Sequence, residues 1–219
     1  MHDKADPPRT LDLPVELKLD ADPEVVDGAK LEALELFDCD LSARWARNVS
    51  FVDCRLKGVD LSESRLEQAR LTDVGLEGTN LANLHAAGMH AARVEMDHCR
   101  LTGLNVTAGK LTDVRIRGCK VDLATFATAR LERVVFDDCQ LAGSDFIDAE
   151  LDSVCFQSCD MTGVDLRGAR LRACEFRRCR LEELRGVGSL RGAALEWATI
   201  VELAGIWAET LGIEVLSED

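Results

Sequence analysis

The chain has 219 residues, 47% of them apolar and 30% charged, enough for one ordinary domain, and its 5% aromatic content without tyrosine suits a narrow aliphatic interior. Forty acidic against 26 basic residues give a formal charge of −14, so direct binding to a nucleic-acid backbone is disfavoured by repulsion. No run of 18 or more apolar residues occurs and the opening MHDKADPPRT lacks the basic region and apolar core of a signal peptide, which argues against a membrane span and for a cytoplasmic protein.

Residues 1–10 are polar, contain two prolines and are expected to be disordered or loosely laid down. Leu11, Leu13, Val15, Leu17 and Leu19 then alternate with polar residues and proline, the period of a half-buried strand. The expectation is an N-terminal cap over residues 1–30, with turns at Asp22-Pro23 and Asp27-Gly28.

From Leu31 to Leu181 an apolar residue stands at every fifth position without an insertion or deletion, running Leu31, Leu36, Leu41, Ala46, Phe51 and onward. Two residues before each lies a second row that is mostly small or apolar, such as Val49, Cys54, Val59 and Ala69. The other three positions are polar or glycine. A period of five fits neither a helix, at 3.6, nor a strand, at 2. A short fixed period over most of a chain is the mark of a solenoid, in which each repeat buries its apolar side against its neighbours. Units such as CDLSA, VDLSE, TNLAN, SDFID and VDLRG resemble the pentapeptide-repeat family over about 70% of the chain.

That resemblance implies an all-β solenoid, a right-handed quadrilateral β-helix with four pentapeptides per coil, here over residues 31–184. The central residue and the one two before it would point inward. On that fold eight of the nine cysteines, all but Cys155, face the interior. Cys99, Cys119, Cys139, Cys159 and Cys179 would form a ladder of reduced thiols, and Phe136, Phe156 and Phe176 a matching aromatic column. Strands stack about 4.8 Å apart, so some eight coils give a rigid rod of roughly 40 Å.

Residues 185–219 are expected to close the rod. After Leu181 the five-residue spacing shifts by one place to Leu190, Leu195 and Ile200, with Gly186-Val187-Gly188-Ser189 as the irregular turn. Thr199 and Glu202 have capping-box spacing, which predicts an α-helix over 200–211 with Gly212 as its C′ residue. Apolar residues cover nearly its whole circumference, more than one contact with the rod end can bury. The ending WAETLGIEVL resembles that of dimeric pentapeptide-repeat proteins, which implies a homodimer. Its interface would use Leu203, Ile206, Trp207, Leu211, Ile213 and Val215, the last two in a terminal strand.

Charge is uneven. Residues 1–30, 31–181 and 182–219 carry net charges of −4, −4 and −6, so the excess lies in the caps. Arg167, Arg170, Arg172, Arg177, Arg178 and Arg180 make the last coils locally basic. No catalytic constellation stands out: His85 and His90 fall on adjacent faces, Cys155 and Cys159 on opposite sides of the wall, and the glycines are dispersed turn residues. Trp45 is an outward aromatic able to anchor a contact. No metal, cofactor or catalytic residue is assigned.

These residues point to a non-catalytic interaction protein, a rod binding a macromolecule through its charged faces. The resemblance also implies an alternative, that of the quinolone-resistance members, which bind DNA gyrase or topoisomerase IV as DNA mimics; the register-breaking loops of some of them are absent here. An immunity or scaffold role is a third reading. A continuous acidic stripe would favour mimicry, and interleaved charge would favour protein binding.

Overall fold

The computed structural model describes residues 4–214. Between Leu31 and Leu181 the backbone winds with 20 residues per coil, since Arg70 lies beside His90, His90 beside Lys110, Lys110 beside Arg130 and Arg130 beside Glu150 in parallel register. Strands from Ser50–Lys57 to Glu150–Gln157 each cover two sides of a coil. The other two sides are joined by single bridges, one row running Asp40, Asp60, Asn80, Arg100, Lys120 and the other Arg65, His85, Asn105, Thr125.

The corners explain why five residues make one side. Every fifth residue from Ala33 to Glu183 has positive φ, and where it is not glycine φ lies between 46° and 58°. Left-handed backbone costs an L-residue roughly 1–2 kcal/mol, least for Asn and Asp. Asp38, Asn48, Asp53, Asp73 and Asn83 occupy such corners. Corner N–H groups bond to the next coil, for example Asp38 N–H to the Lys57 carbonyl and Gly58 N–H to that of Glu77, both at 2.9 Å. The coil-to-coil ladder therefore offsets the strain.

The core is the predicted pair of inward rows. Phe136, Phe156 and Phe176 stack with centroids 5.0 and 5.1 Å apart. Phe126 and Phe146 form a second stack at 4.8 Å, and Phe136 meets both edge-on. The row two residues before the central one does more than fill space. The Cys139 thiol donates to the Ile116 carbonyl at 3.3 Å, and Ser64, Thr79 and Ser144 donate likewise to Leu41, Leu56 and Val121 at 3.0, 3.2 and 2.8 Å. A small residue with a weak donor thus satisfies a buried carbonyl 23 positions back. Neighbouring sulfurs and burial raise the pKa of Cys119 and Cys159, and burial pushes Cys174 up to about 11. All nine cysteines are free thiols.

Both ends depart from the sequence expectation. Only Lys18–Leu19 of the anticipated 11–19 strand is a strand, paired in parallel with Leu34–Glu35. Residues 5–17 run lengthwise along the outside of the rod, toward its far end in the direction of Ala5. Leu11, Leu13 and Leu17 are half-buried against the wall while Val15 is fully exposed, so the alternation reflects a chain lying on a surface. The first coil is closed by Pro23 and Val25, both buried.

At the other end the register stops where the next central residue would be Gly186, whose φ is +79° and whose added Cβ would stand 2.4 Å from the Arg167 nitrogen. A 3-10 turn, Val187–Leu190, follows, and Leu195 pairs beside Phe176. The predicted single helix is two, α1 (Trp197–Glu202) and α2 (Ala204–Thr210). Its start lies earlier than expected, with Glu196 at the N-cap. The capping box does not form, because Thr199 is buried inside the first turn. Gly212 does sit at C′ with φ +69°, and bonds from Gly212 N–H to Glu209 and Ile213 N–H to Ala208 complete a Schellman motif.

Candidate interaction site

On a rod without a deep cleft, the features able to act are the outward columns, and their pairing is set by the 20-residue period. Twelve of the sixteen ion pairs among the described residues join side chains twenty positions apart, including Arg47–Glu67, Lys57–Glu77, Arg117–Asp97 and Arg180–Asp160. Positive and negative charge alternate up the faces instead of separating. The arginine band anticipated in the last coils is largely neutralised, partly by the neighbouring coil and partly by carboxylates two residues away. Arg170 meets Glu150 at 3.4 Å, Arg172 meets Asp152, and Arg167 and Arg177 are held by Asp165 and Glu175. Counting charge along a short stretch of sequence shows Asp165 and Glu175, two residues from their arginines, but misses Glu150, Asp152 and Asp160 as partners because they lie one coil from Arg170, Arg172 and Arg180.

A second cluster anchors the lengthwise strap. At one corner Asp73, Arg93, Asp113 and Arg133 stand in successive coils, with Arg93 bidentate on Asp73 and Arg133 bidentate on Asp113. The strap adds backbone donors: Arg9 N–H reaches Asp113 at 3.0 Å, Asp12 N–H reaches Asp73 at 3.4 Å and Ala5 N–H reaches Glu175 at 3.2 Å. Arg115 in turn donates to the Pro8 carbonyl at 3.0 Å. Arg133 and then the Arg9 N–H hold the Asp113 carboxyl below the usual carboxylate range. Leu11 lies over Gly75, whose missing side chain leaves the room, since an added Cβ would sit 3.3 Å from the leucine methyl. These carboxylates were not singled out from sequence; the signal available for Asp73 and Asp113 was the alternation of Asp and Arg at twenty-residue spacing through Arg93 and Arg133.

The residues named for a dimer divide. Leu203 is buried in the rod end and Ile206 and Trp207 pack partly against the core, so these three serve the monomer's own closure. Leu211 and Ile213 remain exposed, joined by Trp197 and Val201, which the sequence reading did not place at the interface. Val215 lies outside the described residues, and Ile213 is not part of a strand. Beside this apolar surface an open cleft of about 690 Å³ is lined by Leu171, Leu195, Ile200 and Trp207.

Trp45 is exposed, and the Arg65 guanidinium one coil on lies 4.9 Å from its ring centroid. His85 and His90 are both exposed, whereas Cys155 is half-buried and Cys159 buried. Among the described residues no three His, Cys, Asp or Glu side chains converge to hold a metal ion. No helix of the described residues is long and apolar enough to cross a membrane.

Two family profiles match the sequence, pentapeptide repeats in eight copies over residues 35–73 and the pentapeptide repeat region over 109–185. The chain belongs to the pentapeptide-repeat family. Among solved structures, this pentapeptide-repeat protein is similar to HetL, involved in heterocyst differentiation regulation in the cyanobacterium Nostoc sp. Strain PCC 7120, with 16% identity, a TM-score of 0.46, and 76% of this chain and 89% of that one covered. It is also similar to QnrB1, a plasmid-mediated fluoroquinolone resistance protein, with 20% identity, a TM-score of 0.38, and 91% and 95% covered. No curated protein matches the sequence.

Proposed function

We propose that this pentapeptide-repeat protein is a non-catalytic interaction rod that binds a macromolecular partner through its flat charged faces. The observation carrying this reading is the interleaving of charge: a face whose arginines and carboxylates are paired coil by coil offers directional hydrogen bonds and specificity rather than a long-range field. The exposed Trp197, Val201, Leu211 and Ile213 support pairing of two copies through their C-terminal ends, because four large apolar side chains exposed within seventeen residues at the end of an otherwise polar rod are costly to leave in water.

A second reading is a DNA mimic that binds gyrase or topoisomerase IV and confers quinolone resistance. The charge of −14 and the rod shape favour it, since an acidic rod can compete for a basic DNA-binding saddle. Inhibition of gyrase supercoiling by the purified protein separates the two. The interaction reading expects no inhibition up to about 50 µM, a range in which a specific inhibitor would already be bound. Inhibition well below that concentration would replace it with mimicry.

A further inference from the structure

One outward column holds the longest run of basic side chains outside the pairing rule, with a shorter one at Arg100 and Lys120 on another side. On the side of the coil that begins at the residue before each central Leu71, Ala91, Leu111 and Leu131, four positions in register are Arg70, His90, Lys110 and Arg130. All four are exposed. Among the described residues Arg70, His90 and Lys110 make no ion pair, although the chain carries 40 carboxylates against 26 Lys and Arg. Arg130 alone has a partner, Glu150 at 3.1 Å on the next coil. The nearest acidic corners are already engaged, Asp73 by Arg93 and Asp113 by Arg133. On the strands themselves Arg70, His90 and Lys110 are flanked by Thr72, Ala92 and Thr112, short and uncharged, and no carboxylate pairs with these three; only at the Arg130 end do acids stand beside the column, Glu150 and Glu132.

We infer that this column is a docking stripe for an acidic segment of polypeptide lying extended along the rod axis. The inference rests on the proposed interaction role and names its face and partner chemistry. Side chains one strand apart repeat about every 4.8 Å, so the three cations Arg70, Lys110 and Arg130, with the His90 imidazole between the first two as a hydrogen-bonding group, span roughly 14 Å, the reach of a short extended peptide whose alternate carboxylates fall on one side. The molecule itself shows the mode on the adjoining face, where residues 5–17 lie lengthwise and are held through backbone hydrogen bonds to wall side chains. Two features select a peptide over nucleic acid. The flanking positions carry no aromatic ring for base stacking. The acidic excess lies in the two caps, so a polyanion long enough to run past the stripe and over them meets repulsion, whereas a short acidic segment does not.

The test is fluorescence anisotropy with a labelled ten-residue glutamate-rich peptide at about 20 mM and about 300 mM salt, conditions that bracket effective screening. Two double variants are compared with the parent protein. Arg70→Gln with Lys110→Gln removes the stripe, and Arg100→Gln with Lys120→Gln removes two unpaired cations from another side; all four positions are exposed, so both variants fold. Binding at low salt, weakened about three- to tenfold by the stripe variant and unchanged by the other, is the expected result. The assignment is overturned by absence of binding at low salt, by equal loss in both variants, or by an oligothymidylate of the same length outcompeting the peptide at the stripe. Any of these outcomes leaves the interaction reading standing, because that reading falls only with the supercoiling assay.

Discussion

Between Leu31 and Leu181 neighbouring coils exchange hydrogen bonds in both directions, as Asp60 N–H donates back to Cys39 and Leu61 N–H forward to Asn80, and two side chains are buried per five residues, whereas residues 5–17 reach the same surface with three N–H bonds to carboxylates and a few half-buried leucines. The body is cooperative because no coil can bury its interior without its neighbours. The strap depends on the body, but the body's ladder does not run through the strap. They meet most closely at the charged corner, where the buried Asp73 and Asp113 accept from the strap's Asp12 and Arg9 N–H groups. The molecule thus combines a rigid scaffold with a removable layer, and perturbations should sort into those that break coils and those that only lift the strap.

The largest expected effect belongs to the body. Phe136 stacks on Phe156 and meets Phe126 and Phe146 edge-on, so Phe136→Ala should cost about 3–5 kcal/mol and lower the thermal midpoint sharply. A loss under about 1 kcal/mol in urea titration would mean that the columns are not packed as described. At the C-terminal end, replacing Trp197 and Leu211 together by Glu should leave the melting curve near its parent value, since both are exposed, while halving the mass seen by light scattering. A parent protein that already runs as a monomer would remove the dimer from the account.

The strap should respond to a single corner. Asp113→Asn weakens a charge-assisted pair with Arg133 and the anchor of Arg9, a change of about 1.5–3 kcal/mol felt locally. Amide exchange at Arg9 should then speed up while the strands 50–57 and 70–77 keep their protection. Acid should do the same. Because the folded pKa of Asp113 is depressed, its contribution is present above the ordinary Asp value near 3.9 and is lost as pH falls below that toward the folded value. The smallest effect is expected for Arg172→Gln on the paired face, under about 1 kcal/mol, because an exposed ion pair contributes little.

The body was legible because its rule is local: Leu31, Leu36 and Leu41 state the period within eleven residues, and Phe136, Phe156 and Phe176 state the coil. What escaped was set by contacts across coils. The arginines 167–180 read as a basic band until Glu150, Asp152 and Asp160 are placed beside them, and Arg70, His90 and Lys110 are scattered in sequence but adjacent in space. The alternation of Leu11 to Leu19 has the strand period, yet half-burial against a wall produces the same pattern as half-burial in a sheet. Thr199 and Glu202 have capping spacing, but burial of Thr199 under the rod end prevailed over the cap.

The measurement that bears most directly on a cooperative rod carrying a separable strap is residue-resolved hydrogen exchange at neutral pH and again below pH 4. The account predicts uniformly slow exchange through strands 50–157, intermediate protection at Ala5, Arg9 and Asp12, and in acid a loss of protection at Arg9, whose anchor is Asp113, while the strands keep theirs. Equal protection of strap and body, falling together as pH drops, would contradict it.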